Sequence, residues 1–239
     1  MALKIKLKDR KEVAAGTMAF YFEKPRDFAF IPGQAGDFSL DDPPENDAEG
    51  NKRAFSLASA PYEKDLVITT RMRDTAFKRC LKTVPLGTEF TLDAPWGELT
   101  LHDDVTIPAV FLTGGIGITP IRSIILQATR DKLGQKLVLF YSNHRPEDAA
   151  FLDELTQAQK QNPNFTLVAT MTKMQKSSRS WQGETGVIDK AMLARTIGDL
   201  TLPIYYVTGP PAMVNAMQKM LAEAGVKSAN VRAEEFSGY

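Results

Sequence analysis

Apolar and charged residues alternate through Leu3-Lys4-Ile5-Lys6-Leu7-Lys8, the period-two signature of a strand with one buried face. The same texture returns at 17–23, 36–40, 53–58, 65–72, 88–92 and 98–101, with Gly, Pro, Asp or Asn between the runs. Short strands at this spacing predict an antiparallel β-barrel or sandwich. One helix is predicted inside this half, over 75–82. The stretch 41–52 is acidic and rich in turn formers, so it reads as an exposed loop.

From about residue 107 the rhythm changes. Nearly continuous apolar runs at 109–113, 136–142, 165–171 and 204–208, with a further strand candidate at 231–235, alternate with amphipathic segments at 119–132, 147–161, 189–196 and 211–224. Strands without a polar face belong to a parallel sheet covered by helices on both sides. The pattern therefore predicts two domains, an antiparallel β-barrel over 1–104 and an α/β parallel-sheet domain over 105–239.

Charge removes some functions from consideration. Lysine plus arginine and aspartate plus glutamate both number 29, so no net field draws the chain to nucleic acid or an anionic membrane. Its longest apolar runs, 110–113 and 137–141, are too short to span a bilayer, and the alternating start lacks a signal peptide's apolar core. A cytoplasmic location is expected. Cys80 is the one cysteine and His102 and His144 are the two histidines. They cannot supply an all-cysteine iron–sulfur cluster or an ordinary zinc site, so no metal site is expected and any redox chemistry must come from an organic cofactor.

The sharpest chemical feature is Phe111-Leu112-Thr113-Gly114-Gly115-Ile116-Gly117-Ile118-Thr119-Pro120, a strand that enters a helix through glycines. Gly114, Gly115 and Gly117 allow positive φ and close approach of a phosphate. Thr119 is expected to cap the helix with Pro120 at its first position, which aims the helix N-terminus at an anion. Proline at 120 leaves the G-x-G-x-x-G fingerprint incomplete, and a tight turn without a ligand stays open. A second strand-to-helix turn, Gly209-Pro210-Pro211-Ala212-Met213, falls on the same carboxyl edge, where open parallel sheets bind ligands. Asn143 and Arg145 follow the second strand. Arg145 suits a 2′-phosphate, a ribose and adenine, or plain solvent.

In the barrel half, Arg53-Ala54-Phe55-Ser56 offers a cation and a ring on one strand face and a hydroxyl on the other. Arginine's bidentate fork suits a diphosphate, although a surface arginine on a half-exposed strand has the same spacing. Thr70 and Met72 lie on the strand that leads through Arg73-Asp74 to the helix start Thr75-Ala76-Phe77, whose amides form a second anion candidate.

In order along the chain, Pro32-Gly33-Gln34, Arg53-Ala54-Phe55-Ser56, Thr75-Ala76-Phe77, Leu86-Gly87, Ala94-Pro95-Trp96-Gly97, Gly114 to Pro120, Gly209-Pro210-Pro211 with Met213, and Glu234-Glu235-Phe236-Ser237-Gly238-Tyr239 resemble the ferredoxin–NADP reductase superfamily, in particular its stand-alone flavin reductase-like members. The resemblance implies an FAD-dependent NAD(P)H oxidoreductase, with FAD favoured over FMN and NADH or NADPH as co-substrate. It places Arg53 on the flavin phosphates, Phe55 beside the ring and Ser56 near N5. It also places Gly114 to Thr119 on the nucleotide diphosphate, and Pro210, Pro211 and Met213 beside the nicotinamide. Glu235, Phe236 and Tyr239 are expected to close the site. Three positions depart from the family pattern: Phe55 where tyrosine is common, Thr208 where cysteine usually precedes Gly-Pro, and Asp74 where glycine or serine is frequent. Hydride is expected to pass from nicotinamide to flavin, and electrons onward to a separate acceptor such as a ferredoxin, cytochrome, oxygenase component, free flavin or quinone. A non-catalytic flavin-binding redox sensor is the competing reading, and an apo dinucleotide-binding scaffold a third.

Overall fold

The computed structural model describes residues 2–236. Its first sheet is antiparallel and contains β1 (Leu3–Ala14), β2 (Thr17–Glu23), β3 (Ala35–Ser39), β4 (Lys52–Ser56), β5 (Asp65–Arg71) and β6 (Glu89–Trp96), in the order β4-β3-β6-β1-β2-β5. The alternation at the N-terminus is real: Ile5 and Leu7 are buried while Lys4, Lys6 and Lys8 are exposed. Phe20, Phe22, Phe38 and Phe90 fill the barrel, with Phe22 and Phe90 edge to face at 5.2 Å, a favoured aromatic geometry. Helix α1 (Ala76–Thr83) plugs the barrel with Phe77, Cys80 and Leu81.

Strands β4 and β5 stand at the two ends of the sheet order. The chain beyond β4 rejoins β5 through one backbone bond, Ala58 N to Val67 O at 2.8 Å, which leaves a seam between 53–56 and 69–71. The expected strand at 98–101 does not form. Instead Thr100 N donates to Glu98 O at 2.7 Å, and Gly33 is pressed so tightly on this turn that a Cβ there would lie 2.1 Å from the Leu99 carbonyl oxygen.

The second sheet is parallel. It contains β7 (Ala109–Gly114), β8 (Leu137–Asn143), β9 (Phe165–Met171), β10 (Glu184–Thr185), β11 (Ile204–Gly209) and β12 (Val231–Glu235), in the order β10-β9-β8-β7-β11-β12. Helices α2 (Ile118–Arg130) and α3 (Leu152–Gln161) cover one face, and α4 (Lys190–Ile197) and α5 (Pro211–Glu223) the other. Two details differ from expectation. The helix foreseen over 147–161 is divided, because Phe151 takes φ 61° and separates a 3₁₀ turn at Pro146–Asp148 from α3. The two-residue β10 was not foreseen, being too short for a periodicity signal.

Arg122 of α2 clamps barrel to sheet. Its guanidinium donates to Ala58 O (2.6 Å), to both Glu63 oxygens (2.8 and 3.1 Å) and to both Glu154 oxygens (2.7 and 2.7 Å). Burial opposes its charge, and the two carboxylates more than offset that, so the guanidinium pKa lies above its ordinary value.

Candidate active site

Strand order reverses between β7 and β11, the switch point where parallel sheets open a crevice. Both glycine turns lie there. After β7, a 3₁₀ turn at Gly115–Gly117 runs directly into α2, and no side chain caps the helix. Thr119 is therefore inside the helix and not its cap, and Pro120 is not its first residue. The Thr119 hydroxyl donates instead to Ile116 O at 3.1 Å. An uncapped helix start leaves amide donors for a ligand.

The two turns interlock. A Cβ on Gly117 would lie 2.7 Å from the Thr208 carbonyl, and one on Gly114 would lie 2.3 Å from Met213 Sδ and 3.2 Å from Pro210 Cδ. Thr208, which stands where the family pattern has cysteine, donates its hydroxyl to Gly117 O at 2.9 Å and lies 3.0 Å from the Thr113 hydroxyl. It fixes the turns to each other.

Two cavities meet at this point. One, of about 850 Å³, is lined by Gly114, Gly115, Asn143, His144, Lys173, Pro210 and Met213 among others. Asn143 is buried there with neither amide atom hydrogen-bonded. A buried amide without partners is costly, and a polar ligand would satisfy it. Arg145 does not line this cavity; Asp148 holds its guanidinium at 2.9 and 2.7 Å. Burial, with Lys173 beside it, keeps the His144 pKa below its ordinary value.

The other cavity, of about 210 Å³, occupies the barrel seam. Arg53, Ala54, Phe55, Ser56, Thr70, Thr75, Thr119 and Phe236 all line it. Thr69 lines it too, buried and with its hydroxyl unpartnered. Arg71 lines both cavities. The remaining sequence candidates stand behind these walls. Ala76 and Phe77 are buried residues of α1 and Met72 packs on the barrel core, while Pro120 is buried within α2 and Pro211 begins α5. Tyr239 lies outside the described residues.

Glu235 and Phe236 do not act from one side. Glu235 is exposed and accepts from Asn215 of α5 at 3.4 Å. Glu234 turns toward Gly97, Glu98 and Leu99 instead, and burial raises its pKa. A strand's period of two joins Phe236 with Glu234, so this signal was available in the sequence.

Residues 111–219 match the family described as oxidoreductase NAD-binding domain. Over 98% of the chain, its fold superposes with TM-score 0.78 and 20% identity on 98% of a ferredoxin NADP+ reductase from Neisseria gonorrhoeae. The chain thus has the two-domain fold of the ferredoxin–NADP reductases. The flavohem-like FAD/NAD-binding domain of nitric oxide dioxygenase from Vibrio cholerae superposes on this chain with TM-score 0.82 at 18% identity, covering 98% of each chain. One polypeptide of the Na(+)-translocating NADH-quinone reductase of Serratia proteamaculans is 28% identical over 205 residues, which cover 80% of this chain and 50% of that protein. The chain thus spans about half the length of the curated relatives it matches.

Proposed function

We propose that the chain is an FAD-dependent NAD(P)H oxidoreductase that passes electrons to a separate acceptor. In this reading residues 1–104 form the flavin domain and 105–239 the nucleotide domain. The observation that carries it is the junction of the two cavities at the glycine turn: Thr119 lines the barrel seam, Gly114 and Gly115 line the larger cavity, and Arg71 lines both. The unpartnered Thr69 hydroxyl and Asn143 amide supply polar groups that fit a flavin on one side and a dinucleotide on the other.

When bound, the flavin and nicotinamide supply the hydride and electron chemistry. The protein holds and orients. Phe55 and Ser56 offer an aromatic edge and a buried hydroxyl to the flavin ring, and Phe236 screens the seam from solvent. The uncapped start of α2 and Arg71 meet the nucleotide diphosphate, while Asn143, His144 and Lys173 face its adenosine end. Pro210 and Met213, wedged against Gly114, shape the nicotinamide end. Lone Cys80 is buried in the barrel, so electrons leave from the flavin to a partner of the ferredoxin, cytochrome, oxygenase, free flavin or quinone class. An absorbance spectrum of the purified protein, followed by anaerobic addition of NADH or NADPH, tests the reading. A flavin spectrum bleached by either nucleotide supports it; a colourless protein that cannot be reconstituted with FAD overturns it.

A further inference from the structure

Arg53 and the start of α1 are the obvious phosphate partners in the seam, yet both are already occupied by the acidic loop. Arg53 Nη2 donates to Glu49 Oε2 at 2.8 Å and lies 3.5 Å from Asp47 Oδ1, while Nη1 donates to the carbonyls of Glu49, Gly50 and Lys52 at 2.8, 2.9 and 2.7 Å. The Ala76 amide, which opens α1, donates to Asp47 Oδ2 at 2.7 Å. Glu45 of the same loop takes Arg79 at 3.0 and 2.7 Å. The loop expected to hang in solvent is folded back, with carboxylates where the resemblance put phosphates.

Other cations remain. Arg73 and Lys78 line the same cavity, and neither is in an ion pair among the described residues. Lys78 Nζ is anchored by donating to Arg71 O at 2.8 Å, and the buried Thr69 hydroxyl without a partner lines the same wall. We propose that Arg73 and Lys78 hold the phosphate of the bound flavin, while Asp47 and Glu49 serve Arg53 and α1 as an internal counter-ion. This rests on the flavin reading above and reassigns the phosphate contact within it.

The charges facing Lys78 sharpen the expectation. Burial first, then Arg73 and Arg53, push its pKa down to about 8, with Glu49 acting in the opposite direction. Arg71 offers it only a carbonyl. A bound phosphate raises the lysine pKa again. The advantage of FMN or FAD over riboflavin therefore shrinks as pH rises from 7 to 9 and Lys78 loses its proton.

The test is a fluorescence titration of the full chain, freed of flavin, with riboflavin, FMN and FAD at pH 7 and pH 9. Replacing both cations, Arg73→Gln with Lys78→Met, should weaken FMN and FAD by ~10-fold or more, since hydrogen bonds between charged partners are the strong ones, and leave riboflavin within ~2-fold. Lys78→Arg should keep FMN affinity at pH 7 and abolish its decline at pH 9, because arginine does not titrate there. Arg53→Gln combined with Asp47→Asn and Glu49→Gln, which removes the cation together with its two carboxylates, should cost FMN less than ~3-fold. Equal losses for riboflavin and FMN in the double variant, or a phosphate advantage that vanishes when Arg53 is removed together with its two carboxylates, overturn the proposal. Failure of all three flavins to bind the unaltered chain sinks the flavin reading and the proposal with it.

Discussion

Replacing Arg122 by methionine keeps an unbranched apolar stem and removes the charge and the donors. The five hydrogen bonds of the guanidinium run to Ala58 O, Glu63 and Glu154, and its side chain is 6% exposed against 23% for Glu63 and 39% for Glu154. An exposed pair would contribute about 0–1 kcal/mol. Removing one partner of a buried pair costs about 3–5 kcal/mol because the remaining charges are left uncompensated. The two glutamates reach water once the clamp is gone, so the lower end, about 3 kcal/mol, is expected. For a chain of this size that lowers the melting temperature by roughly 6–12 °C. Differential scanning calorimetry measures it, and the barrel and sheet should also begin to melt separately. A loss of less than about 1 kcal/mol would place the triad with ordinary surface pairs and refute the reasoning. Changing Glu63 and Glu154 to glutamine in the Arg122→Met background should recover part of the loss, because the stranded charges are then absent.

Gly117→Ala drives a Cβ to 2.7 Å from the Thr208 carbonyl, a backbone atom that cannot rotate away, so a loss of about 1–3 kcal/mol is expected from overpacking, together with a raised KM for the nucleotide. Gly134→Ala, with open space around it, should stay within about 0.5 kcal/mol of the parent; similar urea midpoints for the two variants would contradict the interlock. Phe236→Ala should alter flavin retention or the rate of reduction, measured by ultrafiltration and anaerobic stopped flow, and unchanged values for both would remove Phe236 from the site. The Glu147 carboxyl is held down to about 2 by its own amide and by Ser177 and Ser178, against the opposing effect of burial. A depressed acid stabilises the fold above its ordinary pKa of 4.5 and loses that effect as pH falls toward 2. Protection of the Ser178 amide in hydrogen exchange should hold at pH 5 and collapse between pH 4 and 2; loss already at pH 5 would contradict it.

The periodicities carried the architecture because burial is periodic. Ile5 and Leu7 against Lys4 and Lys6 define a strand face, and the wholly buried β7 announces a covered parallel sheet. Glycine spacing located the crevice, since Gly114 and Gly117 are where the two turns press against each other. The acidic loop was misjudged because composition cannot show where a carboxylate lands: Asp47 meets Ala76 across 29 residues, a contact that only the packed barrel creates. Thr119 and Pro120 were misplaced by a 3₁₀ turn, which extends a helix start without any capping residue to mark it. Arg71 was passed over because a place between two cavities leaves no trace in local spacing.

The parallel sheet ends on β10 and β12, and those strands bear on how copies of the chain behave toward each other. An open edge offers rows of unpaired amides and carbonyls to any neighbouring strand. Here one edge is two residues long, Glu184–Thr185, too short to template a ladder. The other carries Arg232, Glu234 and Glu235 within five residues, so a second copy would set charge against charge. Both margins are built against edge-to-edge aggregation, and an active, concentrated preparation can keep its sheets apart without any cap.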